Sequence, residues 1–402
     1  MKRVLLLSLI LLLQTACQYR NFNNPLPGGL ASKAVVSGFD DVRTDYTNNQ
    51  NPLIKRQSLE RVKQLAKNYP ETMFQRKGVF TLLIISGGAD YGAFGTGILN
   101  GWTKSGTRPK FTTVTGISTG ALIAPFAFAG PKYDSVLKTT YTTTTTKDVL
   151  TKKPLLWTLI SGSDSLMDTK PLKNLIASYV DEKLLNDIAK GFQEGRRLYV
   201  GTTNLYSRKL IVWDMTRIAA SRNPKKIELF RKVLLASASI PVIMPPVKFD
   251  VIANEKTYTE MHVDGGATFS VFLSHLGSDV QTAKAHFQLT KPPRVKIYVI
   301  RNNQNQFHYK VVKPRLFAIG KQAVVSVIAS QGAADVDFIY LCALLGKVDF
   351  NLANVPNEFY MDSDELFDIK RMQKLYHIGY VKAIKGYPWQ KIPPDVKLLH
   401  NV

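Results

Sequence analysis

Apolar positions along the chain follow two periods. Val79-Phe80-Thr81-Leu82-Leu83-Ile84-Ile85 is a nearly unbroken apolar run bounded by glycine, the pattern of a parallel strand covered on both faces. Phe94, Ile98, Leu99 and Trp102 follow at helical spacing. Phe111 to Thr115 is the next strand, closed by Gly116, and an Ala/Leu/Ile/Phe-rich helical pattern begins at Thr119. Strand, glycine-rich turn, helix, strand, sharp turn, helix predicts an α/β protein built on a parallel sheet. Residues 197–203 and 209–213 predict two strands joined by a polar turn. A short strand is expected at 261–263 and a strong one at 295–300. Helices are expected at 171–179, 232–238 and 372–384, and one or two within 321–345.

The N-terminal part reads differently. Met1-Lys2-Arg3 is basic, and Val4 to Leu13 is an apolar core too short to span a bilayer, so residues 1–16 predict a secretory signal peptide. Thr15-Ala16 before Cys17 is similar to a bacterial lipoprotein signal, although Gln14 stands where an aliphatic residue is preferred. The expectation is lipidation at Cys17 on an exported protein anchored in a membrane, the outer one by preference. Ordinary cleavage, or a free thiol able to pair with Cys342, stays open. Residues 17–52, rich in Asn, Pro and Gly, predict a flexible tether. Residues 53–78 hold an amphipathic helix with Ile54, Leu59, Val62 and Leu65 on one face and Lys55, Arg56, Arg61 and Lys63 elsewhere. It packs on the domain or lies on a membrane. The catalytic domain is placed at 79–300, and 301–402 is read as a helical extension packed on it. No run reaches about 18 apolar residues, so no transmembrane helix is expected. Residues 139–146, nearly all threonine, extend or cap a helix.

Composition narrows the partners. Hydrophobic residues make up 45% of the chain and charged residues 21%, as in globular proteins. The formal charge of +23 favours an acidic partner, and an anionic membrane surface ranks above nucleic acid, for which no motif is present. Two cysteines allow neither a disulfide framework nor a cysteine metal cluster; no metal and no cofactor is expected.

Three stretches carry chemistry. Gly116-Ile117-Ser118-Thr119-Gly120 sits on the sharp strand-to-helix turn, where a serine hydroxyl is exposed at a helix N-terminus. Ser118 is the candidate nucleophile, and a plain N-cap serine is the alternative. Gly87-Gly88-Ala89-Asp90-Tyr91-Gly92 follows a strand and opens a helix, so its backbone N–H groups can form an oxyanion hole. A dinucleotide fingerprint would need glycine at Ala89 and an acidic residue near position 110, and has neither. Asp264, before Gly265-Gly266, can accept the serine proton or orient a histidine, and a simple turn is the alternative. His262 shares a strand face with Asp264, which leaves a histidine role open.

The order of these three motifs resembles the patatin-like phospholipases. Ala93-Phe94-Gly95-Thr96-Gly97-Ile98-Leu99, Tyr199-Val200-Gly201-Thr202-Thr203-Asn204 and Ala236-Ser237-Ala238-Ser239-Ile240-Pro241 extend the resemblance over roughly 79–300. It implies a three-layer α/β/α sandwich around a mainly parallel central sheet. It implies a Ser118–Asp264 dyad without histidine, in which Ser118 attacks an ester carbonyl and Asp264 is base, then acid. Gly87 and Gly88, with Ala89 and Gly92, would form the oxyanion loop, and Gly116, Gly120, Gly265 and Gly266 complete the motifs. The implied activity is metal-free acyl hydrolysis of membrane phospholipid or another acyl-lipid, of phospholipase A type. Two positions depart from the pattern: Ala89 replaces a glycine, and Tyr91 an Arg or Lys. A patatin-fold surface lipoprotein that binds lipid or a partner without turnover is the competing expectation.

Overall fold

The computed structural model describes residues 24–48, 51–75, 79–152, 165, 167–306, 309, 311–361, 363 and 365–399. The signal peptide and Cys17 lie outside them. The strands are β1 (Val35–Val36), β2 (Arg43–Asp45), β3 (Phe80–Ile85), β4 (Thr113–Gly116), β5 (Thr151–Lys152), β6 (Met167–Asp168), β7 (Arg197–Asn204), β8 (Lys209–Asp214), β9 (Val247–Ala253), β10 (Lys256–Asp264), β11 (Val295–Arg301) and β12 (Asp349–Asn354). Ten of them form one mixed sheet in the order β1-β9-β10-β7-β4-β3-β11-β12, with β8 beside β7 and β2 beside β8; β5 and β6 pair separately. The centre, β7-β4-β3-β11-β12, is parallel throughout. Antiparallel strands are added on the β7 side.

Alternation along β3 shows why both faces are covered. Leu83 and Ile85 enter one core and Leu82 and Ile84 the other. The first face packs against α2 (Gly92–Lys104), α3 (Thr119–Ala129), α8 (Lys226–Ser237) and α11 (Ile369–Ile384), in company with α4 (Asp134–Thr143), α5 (Lys170–Tyr179), α6 (Glu182–Gln193) and α7 (Met215–Ala220). The second face takes α10 (Leu316–Leu345), while α1 (Pro52–Asn68) and α9 (Leu276–His286) pack together over Phe80. The result is the helix–sheet–helix layering expected of an α/β/α sandwich.

Three expectations need correction. The described part of the tether, 24–48, is ordered: Val35 and Val36 pair with Ile252 and Val251, Arg43 to Asp45 pair with β8, and Leu26, Phe39 and Val42 are buried. Its few apolar residues are spaced to reach the sheet edge, which composition alone conceals. Arg61 is buried, ion-paired to Asp279 and bonded to the Gly195 carbonyl at 3.0 Å, so α1 packs on the body through a charged residue as well as its apolar stripe. The region after 300 is not purely helical, because β12 continues the parallel sheet beside β11. The helix α10 is long and apolar enough to cross a membrane by length and composition alone, but its inner face packs on the sheet core, so it does not overturn the expectation of no transmembrane helix. Scattered Gln, Ser, Gly and Asp residues hid it from a test that demanded an unbroken apolar run.

Candidate active site

Ser118 lies between the end of β4 and the first turn of α3, with φ 56° and ψ −125°. That strained conformation is held by close packing. A Cβ at Gly116 would stand 2.3 Å from the Gly120 carbonyl oxygen, and one at Gly120 would stand 2.2 Å from the Ile85 oxygen. The Ser118 N–H donates to Ser237 Oγ at 3.0 Å, and that hydroxyl donates to the Gly201 carbonyl at 2.7 Å. Ser237 thus ties the turn to α8 and β7. It lies in a stretch quoted above for resemblance, yet nothing in its local pattern marked this contact.

Asp264 ends β10 and is buried. Its N–H donates to the Ser239 carbonyl at 2.8 Å, and Oδ1 accepts the Gly266 N–H at 2.7 Å. Oδ2 has no full-strength hydrogen bond, and the Ser118 hydroxyl is the side chain that faces the carboxyl and favours its charged form. Burial outweighs both neighbours and pushes the carboxyl up to about 7. Gly265 lets the chain pass Gly201, whose carbonyl oxygen a Cβ would approach to 2.7 Å.

The loop after β3 borders the same turn. A Cβ at Gly87 would lie 3.0 Å from Ser118 Cβ. Gly88 has φ 148°, and a Cβ there would stand 2.0 Å from the Asn302 carbonyl oxygen. Among the described residues no acceptor takes the N–H of Gly87, Gly88 or Ala89. Gly92 differs from expectation: its N–H is turned back onto the Ala89 and Asp90 carbonyls, so it is no oxyanion donor. Its lack of a side chain instead makes room for Thr119 and Tyr141, since a Cβ would stand 2.5 Å from Thr119 Oγ1. Ala89 has φ 49°, where a methyl costs about 1 kcal/mol relative to glycine.

Two residues outside the motifs hold this loop. Asn302 is fully buried; its N–H donates to Ser86 Oγ at 2.8 Å, its Nδ2 to the Ser86 carbonyl at 3.0 Å, and its Oδ1 accepts the Gly95 N–H at 3.1 Å. Arg371, on α11, donates from Nε to Asp90 Oδ2 at 2.7 Å and sets its guanidinium 6.0 Å from the centre of the Tyr91 ring. Burial raises Asp90 to about 6 even though Arg371 pulls it down. The basic residue missing at position 91 is thus matched by a cation brought in from α11.

Histidine is not assembled here among the described residues. His262 is buried with Nδ1 2.8 Å from Thr202 Oγ1 and Nε2 3.1 Å from Glu260 Oε2. Burial would raise Glu260, but His262 and the Arg43 guanidinium outweigh it and hold the carboxylate at about 2. His275 bonds Thr44 at 3.0 Å. His308 and His400 lie outside the described residues.

Beside Ser118 opens an apolar pocket with an empty volume of about 980 Å³, its open mouth included. Ala89, Leu122, Phe126, Leu172, Ile176 and Met244 contribute to its wall, and among the described residues no charged side chain does. The threonine-rich stretch supplies part of it: Thr140, Tyr141 and Thr144 line the pocket, and the Tyr141 hydroxyl donates to the Thr119 carbonyl at 3.2 Å.

The raised carboxyl has a pH consequence. If Asp264 must be unprotonated to take a proton, ester hydrolysis is expected to rise tenfold per pH unit on the acid side and level off above about pH 7. A rate profile from pH 5 to 9 checks this, and an acid limb centred near 4 would contradict it. The sign for stability is opposite. A carboxyl raised above its unfolded value of 3.8 favours the fold below that value, and the benefit is lost as pH rises through about 7.

The sequence model of the family described as "Patatin-like phospholipase" matches residues 83–275, the span that contains Ser118, Asp264 and the loop at 87–92. The chain therefore carries a patatin-like phospholipase domain, a family of lipid acyl hydrolases. Among solved structures it is similar to VipD from Legionella pneumophila, with 13% identity and a TM-score of 0.33. That likeness covers 76% of this chain and 66% of VipD, slightly under two thirds of VipD's length. No curated protein matches the chain significantly.

Proposed function

We propose that the patatin-like domain at 83–275 is a serine lipid acyl hydrolase working through Ser118 and Asp264. The observation that carries this reading is a serine on a strained turn, beside a buried carboxyl, at the wall of an apolar pocket. The pocket takes an acyl chain. A charged headgroup finds no counter-charge among the described lining residues and stays outside. Asp264 accepts the Ser118 proton as Oγ bonds to the ester carbonyl carbon. The N–H groups of Gly87, Gly88 and Ala89 stabilise the oxyanion. Asp264 then gives the proton to the leaving alcohol, and an acyl-enzyme on Ser118 remains. Water, deprotonated by Asp264, cleaves it to fatty acid and returns the hydroxyl.

A fluorophosphonate probe tests the chemistry. Covalent labelling that needs Ser118 is expected; a protein that resists the probe is the non-catalytic lipid binder for which the strain at Ala89 speaks. Pocket geometry gives a separate prediction. Leu175→Trp fills the wall at α5, so hydrolysis of a long-chain ester is expected to fall about tenfold or more while an acetyl ester is cleaved as before. Matched losses for both esters would remove the pocket from acyl binding. The substrate class proposed is membrane phospholipid or another acyl-lipid, and the proposed setting is a membrane to which Cys17 anchors the exported chain.

A further inference from the structure

The helix α10 has two faces of opposite meaning. Inward, Val336, Ile339 and Ala343 pack on Leu82, Ile84 and Val299 of the sheet. Outward, Ile319, Ala323, Val327, Ala334, Phe338, Leu341 and Leu345 form an exposed stripe at intervals of three, four and seven residues. Val327 is 64% exposed and Leu345 76%. Between Lys321 and Lys347 the charged residues are Asp335 and Asp337. Asp335 is buried, accepting the Ser270 N–H at 2.6 Å, and Asp337 is half-buried beside Arg301. From Ala323 to Leu345 no charge therefore interrupts the stripe, over about 33 Å of helix. A surface helix in water carries Lys and Glu at such positions, and a core helix is covered; only 33% of the most apolar stretch of α10 is buried.

We propose that this outer face is the membrane-docking surface, seated in the plane of an anionic lipid bilayer. Spanning is ruled out by the inner face, because a crossing helix would have to leave the sheet core it completes. In-plane seating buries only what is now exposed. Charge supports the partner: Lys313 and Arg315 stand exposed before the helix and Lys347 after it, on a chain of net charge +23. The exposed Tyr309 and Val311 extend the apolar patch toward the headgroup layer.

The position of the face gives docking a purpose, which rests on the hydrolase reading above. The loop after Asp264 leans on the inner side of α10. A Cβ at Gly266 would lie 3.3 Å from Ile328 Cγ2, and Ser270 Oγ donates to the Ile328 carbonyl at 2.8 Å. With the outer stripe in lipid, the Asp264 loop stands about one helix diameter, roughly 10 Å, from the bilayer.

The test uses the full chain carrying Cys17→Ser, so that no acyl anchor contributes. Vesicles of equal phosphatidylglycerol and phosphatidylcholine are sedimented with it and with a Val327→Glu/Phe338→Glu/Leu341→Glu variant, whose changes lie on exposed positions. The parent is expected to co-sediment, and the variant to bind at least about 30-fold more weakly while cleaving a soluble short-chain ester unchanged. Pure phosphatidylcholine should weaken the parent about tenfold. A parent that ignores the vesicles, or a variant that binds them equally, overturns the proposal. So does a concentration-dependent dimer that the variant abolishes with vesicle binding intact, since the occupant is then a second copy. Loss of hydrolysis in a parent that still binds would remove the hydrolase reading and leave the docking surface standing.

Discussion

Ser118→Ala is expected to lower ester hydrolysis at least about 10⁴-fold, and Asp264→Asn by a comparable factor, with the double variant no worse than either alone. The two groups act on one proton, so their losses do not add. The variants part company in stability. Asp264 is buried, its Oδ2 has no full-strength partner, and its carboxyl is pushed up to about 7, so at pH 8 the fold carries a charge that burial disfavours. Asparagine keeps the acceptor for the Gly266 N–H and discards the charge. Asp264→Asn should therefore melt higher than the parent at pH 8, with the margin shrinking as pH falls from about 7 toward 3.8, whereas Ser118→Ala should show no such pH-dependent gain. Melting curves and initial rates on the same preparations check both halves. An Asp264→Asn enzyme that turns over at the parent rate would exclude the carboxylate as base.

Arg371→Met is expected to cost about 3–5 kcal/mol of stability and to lower kcat far more than it raises KM. The guanidinium is buried against Asp90, and its other donors hold the Ser363 and Leu366 carbonyls, both at 3.4 Å, in the segment leading into α11. Without it Asp90 is an unpaired acid in the loop that carries the Gly87–Ala89 donors. Because Ala89 already holds a left-handed conformation, that loop has strain to release once its clasp is cut. Asp90→Asn/Arg371→Met should recover roughly half of the lost stability, because replacing both partners of a buried pair is milder than stranding one. Urea melts of the parent, both single variants and the double form the cycle. A double variant as unstable as Arg371→Met alone would mean that the guanidinium acts through its carbonyl contacts and not through Asp90.

The parts legible from the chain alone were those whose physics is local. The run at 79–85 reads as a buried strand because both of its faces are apolar, and Gly116 and Gly120 read as a tight turn because no other residue lets β4, Ile85 and α3 approach so closely. The order of three such motifs was enough to suggest the family and the layered α/β plan. Residues 24–48 were misread because two-residue and three-residue strands have no period to detect, and pairing with β9 and β8 gives them order. Gly92 was misassigned because a glycine that makes room and a glycine that donates look alike in one dimension.

What the sequence determined by itself was the set of rigid local units and the residue types able to act as nucleophile, base and donor loop. What only the tertiary structure decided was which of them meet. Arg371 clasps a residue 281 positions earlier, Ser237 steadies Ser118 from α8, and His262 is held by Thr202 and Glu260 although it shares a strand face with Asp264. The outward stripe of α10 has meaning only once the sheet has covered the opposite side. The reason is physical: hydrogen bonding within a helix or turn reaches a few residues along the chain. Burial, charge pairing and close approach depend on strand order and layer packing, which no local spacing encodes.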